Sequence, residues 1–238
     1  MPQQLISKYN FKSNEIFSFL NRTEVEYIKE HSRKLHFKKG SLLFHEYGIP
    51  TGVYLLEYGR AKIYKTGFNG KEQIFYIYKE GDLLGYHALI CHENYEDSCE
   101  AIEDCEISFI SKDDFLNLLK RIPKLQDLLI NNLGHEFGVM VNIITLFSQK
   151  TVRERLALFL LILEERFTID SEQPGRINLT RDDLANMIGT ARETLINSIK
   201  EFKERKWISV NKRTITILNH QALKEVNEGK QLIRSKTA

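Results

Sequence analysis

An α+β fold is predicted for this chain: an all-β roll flanked by short helices, then one long helix, then a tight helix pair followed by a small hairpin. Three observations predict it. From Lys34 to Ser111 short apolar runs alternate, roughly every eight to ten residues, with Gly40, Gly48, Gly52, Gly59, Gly67, Gly70, Gly81 and Gly85, the punctuation of an all-β segment. After Pro123 the apolar period becomes helical. Between Ile177 and Leu218 two helical patterns sit either side of Gly189, with two strand-like runs behind them.

Ahead of the all-β segment, Glu15 to Leu20 and Thr23 to Arg33 read as short helices, the second opened by a Thr23-x-x-Glu26 capping pattern. Leu42 to Phe44, Val53 to Leu56, Ala61 to Tyr64 and Gln73 to Tyr78 read as strands, and Asn69-Gly70 between the last two is a hairpin-turn signal. A small barrel or roll protects the edges of such strands most simply. Behind it, Ser111-Lys112-Asp113-Asp114 caps another short helix that stops at Pro123.

In the long helix Ile130, Leu133, Phe137, Met140, Ile144 and Phe147 fall at spacings of 3, 4, 3, 4 and 3, an a/d seam that asks for a partner helix. Self-association through a parallel helix pair is expected, against the alternative of a helix packed on its own barrel. Gly134 and Gly138 each lower helix propensity by about 1 kcal/mol relative to Ala; close helix approach or a hinge would explain them. Gln149-Lys150-Thr151 interrupts the pattern, and Val152 to Phe167 resumes a helix with a different apolar face. A domain boundary is expected there.

The first helix of the closing pair starts at Thr180, carries Asp182 and Asp183 in its first turn and ends at Gly189, a favourable cap and dipole arrangement. Thr190 is expected to cap the second, Ala191 to Lys206, with Thr194, Leu195, Ile199 and Phe202 on its buried side. Two helices crossing steeply need a small residue at the contact, a residue free to take positive φ in the turn and an apolar anchor; Ala185, Gly189 and Leu195 meet those needs. The remaining face of the second helix holds Ala191, Arg192, Glu193, Asn197, Ser198 and Lys200. Any solvated helix can present such residues, but they are also the types that read base edges: Arg pairs with guanine, Glu accepts from cytosine and Asn pairs with adenine. Downstream, Trp207 to Val210 and Thr214 to Ile217 flank Asn211-Lys212-Arg213, a hairpin with two positive charges at its tip, suited to a phosphate backbone.

Composition bounds the rest. Across 238 residues, 42% are hydrophobic and 28% charged, with 13 Gly and 4 Pro, which disfavours disordered, collagen-like and disulfide-scaffold classes. No uncharged apolar run approaches the ~18–20 residues of a membrane span, and Met1-Pro2-Gln3-Gln4 leads into no signal-peptide core, so a cytoplasmic protein with no membrane partner is expected. Up to residue 149 there are 17 basic and 20 acidic residues, and after it 17 and 12; the carboxyl-terminal part holds the basic excess, compatible with a phosphate-binding surface. Cys91, Cys99 and Cys105 match no zinc, redox or iron–sulfur spacing. His36, His45, His87 and His92 lie in the barrel region without H-x-H or H-E-x-x-H spacing. No enzyme, bound metal or cofactor is expected.

The residues from Leu179 to Leu195, including Arg192-Glu193-Thr194 at the start of the second helix, closely resemble the helix-turn-helix of the CRP/FNR superfamily of bacterial transcription regulators. Lys39-Gly40, Gly59 to Tyr64, Gly70-Lys71-Glu72-Gln73 and Gly81-Asp82-Leu83-Leu84-Gly85 resemble its cyclic-nucleotide-binding-type β-roll, so the likeness covers nearly the whole chain. It implies a cupin-like jelly roll as sensor domain (1–122), a dimerisation helix (123–149) and a winged helix-turn-helix DNA-binding domain (150–238). It also implies a homodimer whose recognition helices enter successive major grooves about 34 Å apart on a near-palindromic operator. By matching position Arg192 and Glu193 would contact bases and Lys212 and Arg213 the backbone, with Thr180, Arg181, Thr190, Ala191, Asn197, Ser198 and Lys200 completing the expected DNA-binding set. Several relatives carry a second Arg where this helix has Asn197, so the target sequence does not carry over.

Cyclic-nucleotide binders of this superfamily share a Gly-Glu pair for the ribose and an Arg-Ser pair for the phosphate. Here Tyr86 follows Gly85, and Asp97 stands before Ser98 in the Arg position. A carboxylate repels a phosphodiester and supplies no charge-assisted hydrogen bond, so cyclic AMP is not the expected effector. The expected effector pocket is Leu84, Gly85, Tyr86, His87, Asp97, Ser98, Met140 and Val141. The amino-terminal cysteine cluster of oxygen-sensing relatives is absent. His87 and Pro2 fit loosely the ligands of haem-based carbon monoxide sensors, a polar loop histidine being the alternative, and Cys91 and Cys99 could approach across a hairpin as a redox switch. The expected partners are double-stranded DNA, a second copy of the chain, an unidentified small-molecule effector and, for an activator, RNA polymerase. The roll is expected to be either effector-sensing or vestigial, and a signalling module acting through protein partners, or a haem- or redox-sensing regulator of the same fold, is the alternative.

Overall fold

Eight antiparallel strands build the all-β segment: β1 (Ser32–Phe37), β2 (Leu42–Phe44), β3 (Gly52–Tyr58), β4 (Ala61–Thr66), β5 (Glu72–Tyr78), β6 (Leu83–Leu84), β7 (Ser98–Ala101) and β8 (Cys105–Ser111). They form two four-stranded sheets, ordered β1-β8-β3-β6 and β2-β7-β4-β5, and so make the roll. The computed structural model describes residues 6–168 and 175–230. These pack as two compact units: one of residues 10–140, the other of residues 6–9 together with the described residues from 141 onward.

The Asn69-Gly70 turn joins β4 to β5, which pair from Ala61↔Tyr78 to Thr66↔Glu72. Gly70 takes φ +73°. A 3₁₀ helix (Ser13–Phe19) precedes α1 (Arg22–Glu30). Helix α1 opens two residues earlier than the Thr23 pattern predicts, because Asn21 is the cap: its Oδ1 accepts from the Glu24 amide while Glu24 Oε2 accepts from the Asn21 amide. It also ends earlier than Arg33. Residues from Ser32 form β1, an edge strand paired with β8, whose sparse apolar alternation hid it in the sequence.

Helix α2 (Tyr86–Cys91) follows β6, and α3 (Lys112–Arg121) follows β8, capped by Ser111 as expected. The core of this unit gathers Ile16, Ile28, Val53, Leu83, Tyr86, Leu89, Ile110, Phe115, Leu118, Ile122, Leu125 and Leu129. Its last two members belong to the long helix α4 (Pro123–Gln149).

On α4, Leu125, Leu129, Asn132, Val139, Ile143 and Leu146 are buried. The predicted seam lies on another arc: Ile130 is 53%, Phe137 73% and Ile144 65% exposed, with Leu133 and Met140 half-buried. Phe147, also half-buried, packs on Phe159, with ring centroids 6.3 Å apart, and under the Arg155 guanidinium. A β-carbon at Gly134 or Gly138 would meet open space.

In the second unit α5 (Val152–Phe167) is buried along most of its length, packed by α6 (Arg181–Ile188), α7 (Arg192–Glu204) and α8 (His220–Asn227). Strands β9 (Ile177–Asn178), β10 (Ile208–Asn211) and β11 (Thr214–Ile217) form a small sheet in the order β10-β11-β9. No helix among the described residues is long and apolar enough to cross a membrane.

Candidate nucleic-acid interface

Thr180 caps α6: its Oγ1 accepts from the Asp183 amide at 3.0 Å. Gly189 ends the helix at φ +67°, ψ +54°, the left-handed conformation that costs a glycine least. The amides of Gly189 and Thr190 both donate to the Ala185 carbonyl, so Thr190 belongs to the turn. It is not the cap of α7, because Ala191 takes the extended cap position and offers no side-chain hydrogen bond. A residue outside the two helices locks the turn. Arg155 of α5, 9% exposed, donates from Nε to the Ile188 carbonyl (2.9 Å) and from Nη2 to that of Gly189 (3.1 Å), satisfying the orphan carbonyls at the end of α6.

Helix α7 buries Leu195, Ile199 and Phe202. Thr194, expected on that side, is exposed, since it stands one position before Leu195 and so turns off the buried stripe. At about 100° per residue, Arg192, Glu193, Ile196, Asn197 and Lys200 fall within one arc of about 140°, and all five are exposed. Ser198 lies off that arc, half-buried, its hydroxyl donating to the Thr194 carbonyl at 3.1 Å. Ile196, 44% exposed, is the residue of this face that the sequence did not single out; its signal is an apolar side chain one position after Leu195 and so about 100° off the buried stripe of Leu195 and Ile199, and a surface of that kind suits a thymine methyl.

Two arginines near this face are engaged. Arg192 Nη1 meets Asp182 Oδ2 at 3.2 Å, an exposed pair of little energetic weight. Arg181 is half-buried, burial lowering its pKa, and its guanidinium donates to the Arg213 and Lys212 carbonyls at 3.2 and 3.3 Å. Lys212 and Arg213 themselves are exposed at the wing tip. At the wing's base Trp207 packs on Phe202 (5.2 Å between centroids) beneath the Arg153 and Arg205 guanidinium groups.

In the roll, Tyr86, His87 and Asp97 come together with two residues that the sequence did not single out, Asn132 and Glu136. Gly85 precedes α2 at φ +78°, and a β-carbon there would lie 3.1 Å from Tyr95 Oη. The Tyr86 hydroxyl donates to Glu136 Oε1 (2.8 Å), and Asn132 Nδ2 donates to both the Tyr86 hydroxyl (2.6 Å) and Glu136 Oε1 (2.8 Å). Burial pushes the Asp97 and Glu136 carboxyls each up to about 7 and lowers the His87 pKa. The His87–Asp97 approach of 3.6 Å is therefore a contact between two groups that burial drives toward their neutral forms. Leu84 is fully buried, and the Ser98 hydroxyl accepts from the Glu46 amide at 2.9 Å. Val141 is exposed on the arc of Ile144 rather than enclosed, and Met140 is half-buried.

These residues do not fit a cyclic nucleotide phosphate, since the group in the arginine position is a buried carboxyl. His87 Nε2 lies 3.6 Å from Asp97 Oδ2. His87 is a residue of α2, not of a loop, and Pro2 lies outside the described residues. Cys91 and Cys99 do not oppose each other across a hairpin, because Cys91 ends α2 while Cys99 pairs with Ile63 and Phe44 inside a sheet. Cys99 is fully buried, its thiol pushed well above the usual range by that burial, and Cys105 is pushed to about 11. No group of three His, Cys, Asp or Glu among the described residues could hold a metal ion.

The chain matches the cyclic nucleotide-binding domain over residues 34–122 and the Crp-like helix-turn-helix domain over residues 154–226. It is 32% identical over 212 residues to the fumarate and nitrate reduction regulatory protein of Vibrio cholerae, covering 87% of this chain and 84% of that one. The protein of the same name in Escherichia coli K12 is 30% identical, with 82% and 78% covered. In fold it is similar to a putative CRP/FNR-family transcriptional regulator from Eubacterium rectale (TM-score 0.71, 21% identity, 90% and 97% covered) and to a CooA variant from Carboxydothermus hydrogenoformans (TM-score 0.70, 23% identity, 92% and 99% covered). With a helix-turn-helix whose second helix keeps a polar face open, the chain belongs to the CRP/FNR family and is a DNA-binding transcription regulator.

Proposed function

We propose that this regulator acts as a homodimer that reads a near-palindromic operator, with α7 in the major groove. The observation that carries the reading is the open face of α7: Arg192, Glu193, Ile196, Asn197 and Lys200 are exposed while Leu195, Ile199 and Phe202 hold the helix to its own domain. Arg192 and Glu193 at the amino end of the helix take guanine and cytosine edges, and Asn197 takes adenine one turn on. Lys212 and Arg213 take phosphate. The Thr180 and Ser198 hydroxyls are already engaged in their own chain, so Thr180, Thr190 and Ala191 serve chiefly to set the turn.

The second copy docks along the Ile130–Phe137–Ile144 arc of α4. Exposed Phe137, Ile144 and Ile130, with Val141 at 46% exposed beside them, form a stripe that water disfavours and a parallel helix would cover. Residues 1–122 serve as the sensor, 123–149 as the dimerisation helix and 150–238 as the DNA reader. The effector of the roll is not cyclic AMP, in keeping with Asp97, and an activating form would meet RNA polymerase.

Competition binding tests the assignment of α7. Arg192→Ala should weaken the selected operator by about 1–3 kcal/mol and leave affinity for unrelated duplex within about twofold. Equal affinity of both proteins for the operator would contradict it.

A further inference from the structure

The wing turn has an unusual residue for its geometry. Strands β10 and β11 pair Asn211 with Thr214 and leave a two-residue loop, Lys212-Arg213. Loops of this length follow the twist of their strands when the first central residue, or both, takes positive φ, which is why Gly, Asn and Asp dominate there. Lys212 takes it, at φ +53°, a region uncommon for a residue with a β-carbon. Side-chain hydrogen bonds reach this turn from outside the hairpin.

Their donor is Arg181. From the first turn of α6 its Nη1 donates to the Arg213 carbonyl at 3.2 Å and its Nη2 to the Lys212 carbonyl at 3.3 Å. A guanidinium is a rigid planar fork, so it holds the two carbonyls in fixed relation to each other and to α6. The next residue of the same helix, Asp182, meets Arg192 at the start of α7. Adjacent residues of α6 therefore contact the wing tip and the head of α7.

We infer that Arg181 is a positioning residue: it holds the wing turn so that the Lys212 and Arg213 side chains reach phosphate in register with α7, and it makes no contact of its own with DNA. The inference rests on the reading of Lys212 and Arg213 as phosphate contacts.

A double-mutant cycle on the full chain with its selected operator tests it. Arg181→Ala should weaken binding about tenfold in the wild-type background and less than about twofold when Lys212→Ala and Arg213→Ala are already present, because the residue acts only through those side chains. A loss of the same size in both backgrounds would mean an independent contact and would overturn the inference. Arg181→Lys keeps the charge without the fork; it serves in the same cycle should the alanine variant fail to fold, with a loss of about fivefold expected. In the DNA-free protein, Arg181→Ala should speed hydrogen exchange of the backbone amides of residues 211–214 at least about fivefold and leave α5 unchanged; unchanged exchange at the tip would also overturn it. Absence of DNA affinity in the wild-type chain would remove the reading beneath the inference, a result seen before any substitution is made.

Discussion

Tyr86, Asn132 and Glu136 show how burial, more than residue type, sets the chemistry of the roll. A carboxyl on the surface is charged at neutral pH, but Glu136, packed against the Tyr86 hydroxyl and the Asn132 amide, is pushed up to about 7, as is Asp97. A folded-state pKa raised above the unfolded value contributes stability that is fully present below the unfolded carboxyl pKa and is lost as pH rises through about 7. The melting temperature should therefore fall between pH 5 and pH 8, by on the order of 5 °C, and Glu136→Gln should flatten that fall. An identical pH slope in the variant would contradict the assignment. The same carboxyls bear on ligands: calorimetry should give no saturable micromolar binding of cyclic AMP, and a fitted isotherm would refute the exclusion. Tyr86 and Asp97 were legible in the sequence as departures from a pattern. Asn132, Glu136 and Arg155 were not, because their partners lie at Tyr86 and at Ile188 and Gly189, joined only by the fold.

Elements whose signals are local were the ones the sequence disclosed. Thr180 and Gly189 bracket α6, Ser111 opens α3 and Asn69-Gly70 turns β4 into β5, each through hydrogen bonds or φ values set within a few residues. Strand β1 and the two-residue β6 have no such marker and exist by pairing with β8 and β3. The Thr23 pattern failed because Asn21, two positions earlier, makes the better reciprocal box with Glu24. The seam of α4 was read from period alone, and its exposed arc is where a prediction belongs. Phe137→Glu places a charge in the middle of the stripe and should shift the chain toward monomer in sedimentation velocity at micromolar concentration, with the thermal transition of the roll little changed, since Phe137 is 73% exposed. A dimer of undiminished strength would move the interface to another surface.

For the whole molecule, the family likeness spans 87% of the chain, while the parts that define an individual regulator are those where it departs from its relatives. In the proposed reading, Asn197 on α7 sets part of what is read and Asp97 in the roll bears on what is sensed. An effector can shift such a protein only through unequal affinity for two arrangements of its DNA-reading helices, and a twofold pair of α4 helices is the element through which both copies would respond together. The central claim is that α7 lies against base pairs as one of two symmetry-related copies. It is tested most directly by selecting duplexes from a random pool with the purified full chain and sequencing what is bound. The account predicts a near-palindrome whose half-sites are centred about 10 base pairs apart, one helical turn. A pool with no enriched sequence, or with a single unrepeated half-site, would contradict it.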